Sequence, residues 1–271
     1  MVKEKNLNTQ KKGILQPKND VVFKALFTKG KESITKALLE DILKIKITKL
    51  DLDKSKDLVN DNKEDKNGRL DLRAVINDNI ECDIELQLKV HAKEIERFVY
   101  YWSKMYASNL QIGNNYTKLR KTISIIILGE NLSNIKEIKK AHTKWQIREE
   151  KYQNIVLTKD MELHIIELSK ALEEYKINPK DEVLQWMMFL ENPEDMEVQK
   201  IMEENKNIKE AKEELNEISA DEALRRLAID RIMIEADKKQ FEYDAHEAGK
   251  KERYRETEGR NGIKERHKGT E

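Results

Sequence analysis

The chain has 271 residues, of which 52 are basic and 52 acidic, and 38% are hydrophobic; this is enough for one substantial core with an appendage, or for two small cores. The single cysteine, Cys82, excludes an internal disulfide framework and a cysteine-rich zinc site, and no apolar run reaches the roughly 18 residues of a membrane span. The neutral total hides an asymmetry: residues 1–180 carry 35 Lys and Arg against 27 Asp and Glu, and residues 181–271 carry 17 against 25, so a polyanion suits the first part and not the second.

Residues 1–18 are polar and basic, as in a disordered arm, and they lack the apolar segment of a signal peptide. A cytoplasmic protein is expected. Asn19 or Asp20 then caps a helix over VVFKALF, and a second helix runs from about Lys31 to Lys44 with Ile34, Leu38 and Ile42 on one face. ITKLDLD alternates like a strand, and KSKDLVNDNKEDKNG reads as a long exposed connection.

RLDLRAVINDNIECDIELQLKV, 69–90, has the pattern of a hairpin turning at Asp78, with Leu72, Ala74, Ile76, Ile80, Cys82, Ile84 and Leu86 on one apolar face. After it, KEIERFVYYWSKMYASNLQIG reads as a helix with Ile95, Val99, Trp102 and Tyr106 inward, ended by Gly113. TISIIIL, 122–128, has the continuous β-branched run of a strand buried on both faces, and LHIIEL, 163–168, reads as one more strand. Beyond Pro179, Val183, Trp186, Met187 and Leu190 mark an amphipathic helix. Charged helical sequence follows to residue 248, with Ser219 to Glu222 as a capping box. The expected organisation is an arm (1–18), an α/β domain (19–180), a helical region (181–248) and a charged, glycine-spaced disordered tail (249–271).

The polar face of the hairpin sets a problem. With the turn at Asp78, Arg73 faces Asp83 and Asp71 faces Glu85, and like charges in directly facing positions destabilise a strand pair. A divalent cation resolves the conflict, because Mg²⁺ takes oxygen ligands and keeps several waters. Asp71, Glu85 and the Leu86 carbonyl are the candidate ligands for Mg²⁺ or Mn²⁺. Gln87, on the face of Glu85, would orient a water or hydrogen-bond a phosphate oxygen, and Arg73 would stabilise charge on a phosphate. An ordinary strand face is the competing reading: Arg73 with Asp83 is a favourable pair, and Asp71 has Arg69 and Arg73 beside it. The five histidines, at 91, 142, 164, 246 and 267, show no metal spacing, and neither GxxxxGK[ST] nor GxGxxG occurs, so no nucleotide cofactor is expected.

GRLDLRA, IECDIELQ, ERFVYYWSKMYASNLQIGNNYTKL and TISIIIL, in that order and with PKNDVVFKALF before and HIIELSK after, resemble the PD-(D/E)XK nuclease family transposases, also called Rpn recombination-promoting nucleases. The resemblance spans about residues 15–200. It implies a restriction-endonuclease-like α/β core, a mixed sheet flanked by helices, with a helical C-terminal extension. It also implies a metal-dependent DNA endonuclease whose Asp71, Glu85 and Gln87 occupy the positions that bind metal and activate water. Leu70 stands where the superfamily motif has proline, and Gln87 where it has lysine. The resemblance further makes Asp20, and Lys24 one turn on, candidates for metal or DNA contact from the first helix. Helix capping explains Asp20 equally well. Arg97 and Tyr101, four apart on the helix after the hairpin, are candidates for phosphate contact. The rival reading is a decayed nuclease fold that binds DNA or protein, with self-association through its C-terminal helices.

Overall fold

The structure of the protein is a computed structural model that describes residues 13–53, 72–90, 93–110 and 112–268. The first twelve residues of the expected arm and the connection after Asp53 lie outside it. Within the expected arm Leu15 and Pro17 are buried, and the Leu15 amide donates to Ser219 Oγ at 2.9 Å.

Asn19 opens the first helix, its Oδ1 accepting the amides of Val21 at 3.1 Å and Val22 at 3.4 Å, donors that the first turn cannot pair internally. This helix, α1 (Asp20–Lys24), passes into a π-helical turn, Ala25–Lys29, and α2 (Glu32–Leu43) follows. Gly30 closes the turn, where any Cβ would run into the Leu26 carbonyl oxygen. Phe23 packs on Phe27 with ring centroids 4.7 Å apart, and Phe27 on Trp186 at 6.2 Å. The indole N–H of Trp186 is satisfied by Asp41 Oδ2 at 2.8 Å, as a buried tryptophan requires.

Six strands form one mixed sheet: β1 (Leu50–Leu52), β2 (Leu72–Ile76), β3 (Ile80–Gln87), β4 (Lys121–Leu128), β5 (His142–Trp145) and β6 (Met161–Glu167). Their order is β1-β2-β3-β4-β6-β5, with β3, β4 and β6 parallel and the other neighbours antiparallel. The hairpin has the expected register, Ile76 opposite Ile80 and Arg73 opposite Asp83. Asn77 and Asp78, the first two of the three loop residues between Ile76 and Ile80, take positive φ values, 50° and 62°, that let the chain reverse tightly. The strand β5 carries no sequence signal. HTKW is a four-residue edge strand without apolar alternation.

The helix α3 (Glu94–Ser108) lies over one face of the sheet, where Phe98 joins Ile126, Leu128, Leu132, Leu163 and Ile165. Its inward stripe is displaced by one position from the expected one. Glu94, Phe98 and Met105 are buried, Ile95 and Trp102 pack from the side, and Val99 is exposed. The helix ends at Ser108, short of Gly113. β4 is buried on both faces, as its apolar run implied: Ile123, Ile125 and Ile127 point away from α3 and are also at most 1% exposed.

Four more helices follow: α4 (Ala171–Ile177), α5 (Glu182–Glu191), α6 (Met196–Glu204) and α7 (Lys206–Ala220). α5 is buried all round from Trp186 to Leu190, and both α5 and α7 pack on α2. The packing therefore does not divide at the expected 180/181 boundary. One compact unit extends to Arg225, because the N-terminal helices need α5 and α7 to cover their apolar faces. Ser219 is not the expected cap; its hydroxyl donates to the Leu215 carbonyl, and Asp221 accepts the amides of Ala223 and Leu224 instead. A single helix, α8 (Glu222–Lys268), starts in the first unit and from Arg226 onward forms the second, in place of the expected end at 248 and disordered tail. Pairs such as Lys250 with Glu247 at 3.0 Å are the kind that sustain a charged helix. No helix among the described residues is long and apolar enough to cross a membrane.

Trp186→Ala removes the largest fully buried side chain. It is expected to cost about 3–5 kcal/mol in urea unfolding, whereas Val99→Ala, on the exposed side of α3, stays within about 0.5 kcal/mol of the parent.

Candidate active site

The strand β3 alternates two chemistries. Cys82, Ile84 and Leu86 face one way, and Glu81, Asp83, Glu85 and Gln87 the other. The polar face is not solvated: Glu81 is 6%, Asp83 2% and Glu85 6% exposed. Buried carboxylates require pairing, and most of the partners come from outside the strand.

Arg97, on the first turn of α3, is the main one. Its Nη2 donates to Glu85 Oε1 at 2.6 Å and to Gln87 Oε1 at 3.2 Å. Its Nε lies 2.5 Å from Glu94 Oε1 without the alignment of a hydrogen bond, so charge holds that contact. The guanidinium also lies 5.5 Å from the Phe98 ring centre and 5.8 Å from that of Tyr101, within cation–π range. Gln87 Nε2 donates to the Lys89 carbonyl at 2.8 Å. With both ends of the amide engaged, Gln87 presents an acceptor rather than a donor to Arg97. Gly129 secures this end of the strand: its amide donates to the Gln87 carbonyl at 3.0 Å, and a Cβ would come 2.7 Å from the Leu88 carbonyl oxygen.

Asp83 lies between the two ends, accepting Ser124 Oγ at 2.5 Å from the neighbouring strand. Burial pushes its carboxyl up to about 7; the Ser124 hydrogen bond opposes this and the charge of Glu85 adds to it. Arg73 stands opposite Asp83 but gives its Nε to Glu81 Oε2 at 3.3 Å, and Arg120 Nη1 reaches Glu81 Oε1 at 2.9 Å.

Of the residues proposed from sequence, Glu85, Gln87 and Arg97 come together, with Tyr101 against the guanidinium. Leu86 lies inside β3, in register with Ile127, its side chain buried on the opposite face. Asp20 and Lys24 are on α1, where Asp20 Oδ1 accepts the Val21 amide and the Lys24 carbonyl accepts Thr28 Oγ1. Asp71 follows in sequence directly before the last paired residue, Leu72 opposite Ile84, and lies outside the described residues. Sequence reasoning missed Glu94, placed on no face, and the burial of Asp83 and Glu81. The polar alternation in IECDIELQ was visible, and so was the helix after it, but not that this helix covers that side.

The donors suit a hard cation. The Glu85 carboxylate and Gln87 amide oxygens are of the type Mg²⁺ takes, and the guanidinium bound to both marks a place that attracts positive charge. Among the described residues no group of three or more His, Cys, Asp or Glu side chains is placed to hold a metal ion.

On the opposite face, the histidines that looked scattered prove to be joined. His142 Nε2 and His164 Nδ1 are 2.8 Å apart, and His164 Nε2 is 2.8 Å from Glu162 Oε1. Lys121 and Lys144 each reach Glu162 at 2.9 Å. Burial opposes ionisation of Glu162, but the hydrogen bonds from His164, Lys121 and Lys144 hold its carboxyl well below the usual range. Burial, with His164 adding, lowers His142 to about 4. This group ties the edge strand β5 to β6.

A mixed sheet with helices against it, and buried carboxylates on a strand leading into a crossover helix, defines a nuclease-like α/β protein of the PD-(D/E)XK type. The model of the PD-(D/E)XK nuclease family transposases matches residues 17–245, and the chain belongs to that family. Comparisons with curated proteins and with solved structures give no match.

A histidine whose folded pKa is lowered binds fewer protons than in the unfolded chain, so its contribution is present above about pH 6.5 and is lost as pH falls through about 4. Stability followed by urea unfolding should drop over this window in the parent, and His142→Gln should flatten the drop.

Proposed function

We propose that the protein is a metal-dependent DNA endonuclease that hydrolyses phosphodiester bonds in the cytoplasm during recombination or transposition. The observation that carries this reading is the convergence of Glu85, Gln87 and Arg97 at the carboxyl end of β3, within a chain of this family. Asp71, Glu85 and the Leu86 carbonyl are the proposed ligands of Mg²⁺ or Mn²⁺, which when bound polarises a phosphoryl oxygen and acidifies a water.

The chain's own groups then have definite tasks. Arg97 fixes the Glu85 carboxylate and the Gln87 amide in one orientation, so the donors need not reorder when a ligand arrives. Its position beside them also suits it to stabilise charge that grows on a phosphate. Gln87 has no titratable group and cannot serve as the base. Its oxygen is suited to orient a water by accepting one of its protons, with Arg97 holding the amide.

Supercoiled plasmid incubated with the purified protein should be cut with Mg²⁺ and not with EDTA. Asp71→Ala and Glu85→Ala should each reduce cutting at least a hundredfold, measured at a temperature where circular dichroism shows each variant folded. Equal cutting by all of them would sink the assignment. Arg97→Lys should keep part of the rate, and Arg97→Ala should lose most of it with a lowered thermal midpoint, since two buried carboxylates, Glu85 and Glu94, lose a cationic partner.

A second reading, self-association through α8, is favoured by one observation: Ile232, Met233 and Phe241 are 56%, 60% and 75% exposed on that helix. If it holds, solution mass should exceed that of one chain, and Met233→Glu with Phe241→Glu should return it to the single-chain value. An unchanged mass would end this reading.

A further inference from the structure

We propose that Arg73 and Arg120, held by the buried carboxylate of Glu81, form a second phosphate-binding position that takes a backbone phosphate of the DNA strand away from the one being cut. The inference rests on the nuclease reading above and adds the path that the strand takes. The two arginines come from different parts of the chain, Arg73 from β2 and Arg120 from the residue before β4. They meet on opposite oxygens of one side chain, at 3.3 Å on Oε2 and 2.9 Å on Oε1.

Neutralising Glu81 needs one cation, and the site has two. The clasp sets two guanidinium groups on a carboxylate that is itself 6% exposed, with Asp83 opposite Arg73 on the same face. Both arginine side chains keep much of their surface in solvent, 38% for Arg73 and 42% for Arg120. A guanidinium has five N–H donors in a rigid fork, so a contact to Glu81 leaves donors on its other edges to face outward. Glu81 thus supplies what a phosphate site lacks when built from free surface arginines: the side chains are ordered in advance, and less entropy is lost on binding.

The location gives the clasp its meaning. Glu81 and Glu85 lie on the same face of β3, four residues apart, which is about 13 Å at the rise of a strand. α3 lies over β4 and β6, and the two arginines reach the Glu81 end of that face from opposite sides, Arg73 from β2 and Arg120 from the residue before β4. A strand cut beside Glu85 and Gln87 and running toward the Ile80 end of β3 would bring a later phosphate to Arg73 and Arg120. Contacts of this kind position a nucleic acid and carry no sequence information. Binding there should be indifferent to base sequence and sensitive to salt.

The test measures binding of a fluorescent DNA duplex by anisotropy, in EDTA, from 50 to 300 mM salt, with the full chain. Arg120→Gln should weaken binding about tenfold at the low end and reduce the slope of log affinity against log salt by about one. Lys200→Gln, an exposed charge on α6, should leave both unchanged. The double variant Glu81→Gln with Arg120→Gln removes the buried charge together with its partner, and should fold and show the same loss of slope. Inorganic phosphate at millimolar levels should compete only weakly, since it lacks the neighbouring contacts. The clasp is overturned if both variants keep the parent's slope and affinity, or if the parent binds no duplex. Its failure is separable from that of the nuclease reading, because cutting that depends on Glu85 could persist with an unchanged slope, and a lost slope could occur in a protein that never cuts.

Discussion

The structure turns on a single conflict. β3 must be an interior strand, paired on both sides and apolar on one face, yet its other face presents three buried carboxylates in succession. Each is resolved by a different device: Glu81 by two arginines from neighbouring segments, Asp83 by a hydroxyl and a carboxyl pushed toward its neutral form, Glu85 by an arginine reaching down from the helix above. None of these is a local contact of the hairpin alone. The position of α3, the approach of the segment before β4 and the register of β2 are all fixed by where the carboxylates need cations and hydrogen bonds.

This arrangement shows how function and stability compete. An all-apolar face on β3 would pack α3 more simply, since buried ion pairs seldom outperform hydrophobic residues of similar volume. Retaining charges there is costly unless they act on something. On the proposed endonuclease reading, the oxygen donors gathered around Glu85 and Gln87 would act on a metal ion.

Much of the fold was legible in the sequence because its signals were periodic. TISIIIL could only be a doubly buried strand, the hairpin register followed from Asn77 and Asp78, and the Asn19 cap stood directly before an apolar helix. The failures share one physical cause, namely features set by partners distant in the chain. β5 is a strand because β6 is beside it, and His142 meets His164 only through that pairing. The stripe of α3 is shifted because Arg97 turns toward Glu85 on the sheet, which places Glu94 inward beside the same guanidinium and leaves Val99 outward. Ser219 looked like a cap, but its hydroxyl is used by Leu15, more than two hundred residues away. In the site, Glu85 and Gln87 were readable as a pattern, whereas their shared dependence on Arg97 was not.

The edges of the sheet carry a further consequence. β1 has three residues and β5 four, and each has a charged residue, Asp51 or Lys144, within it. The eight-residue strands β3 and β4 are enclosed between them. Among the described residues, a passing chain that tried to extend this sheet would find three or four edge positions to pair with, interrupted by charge. Natural sheets escape runaway aggregation in this way. The interior strands of this protein can therefore be strongly hydrophobic, as β4 is, without making the folded molecule adhesive.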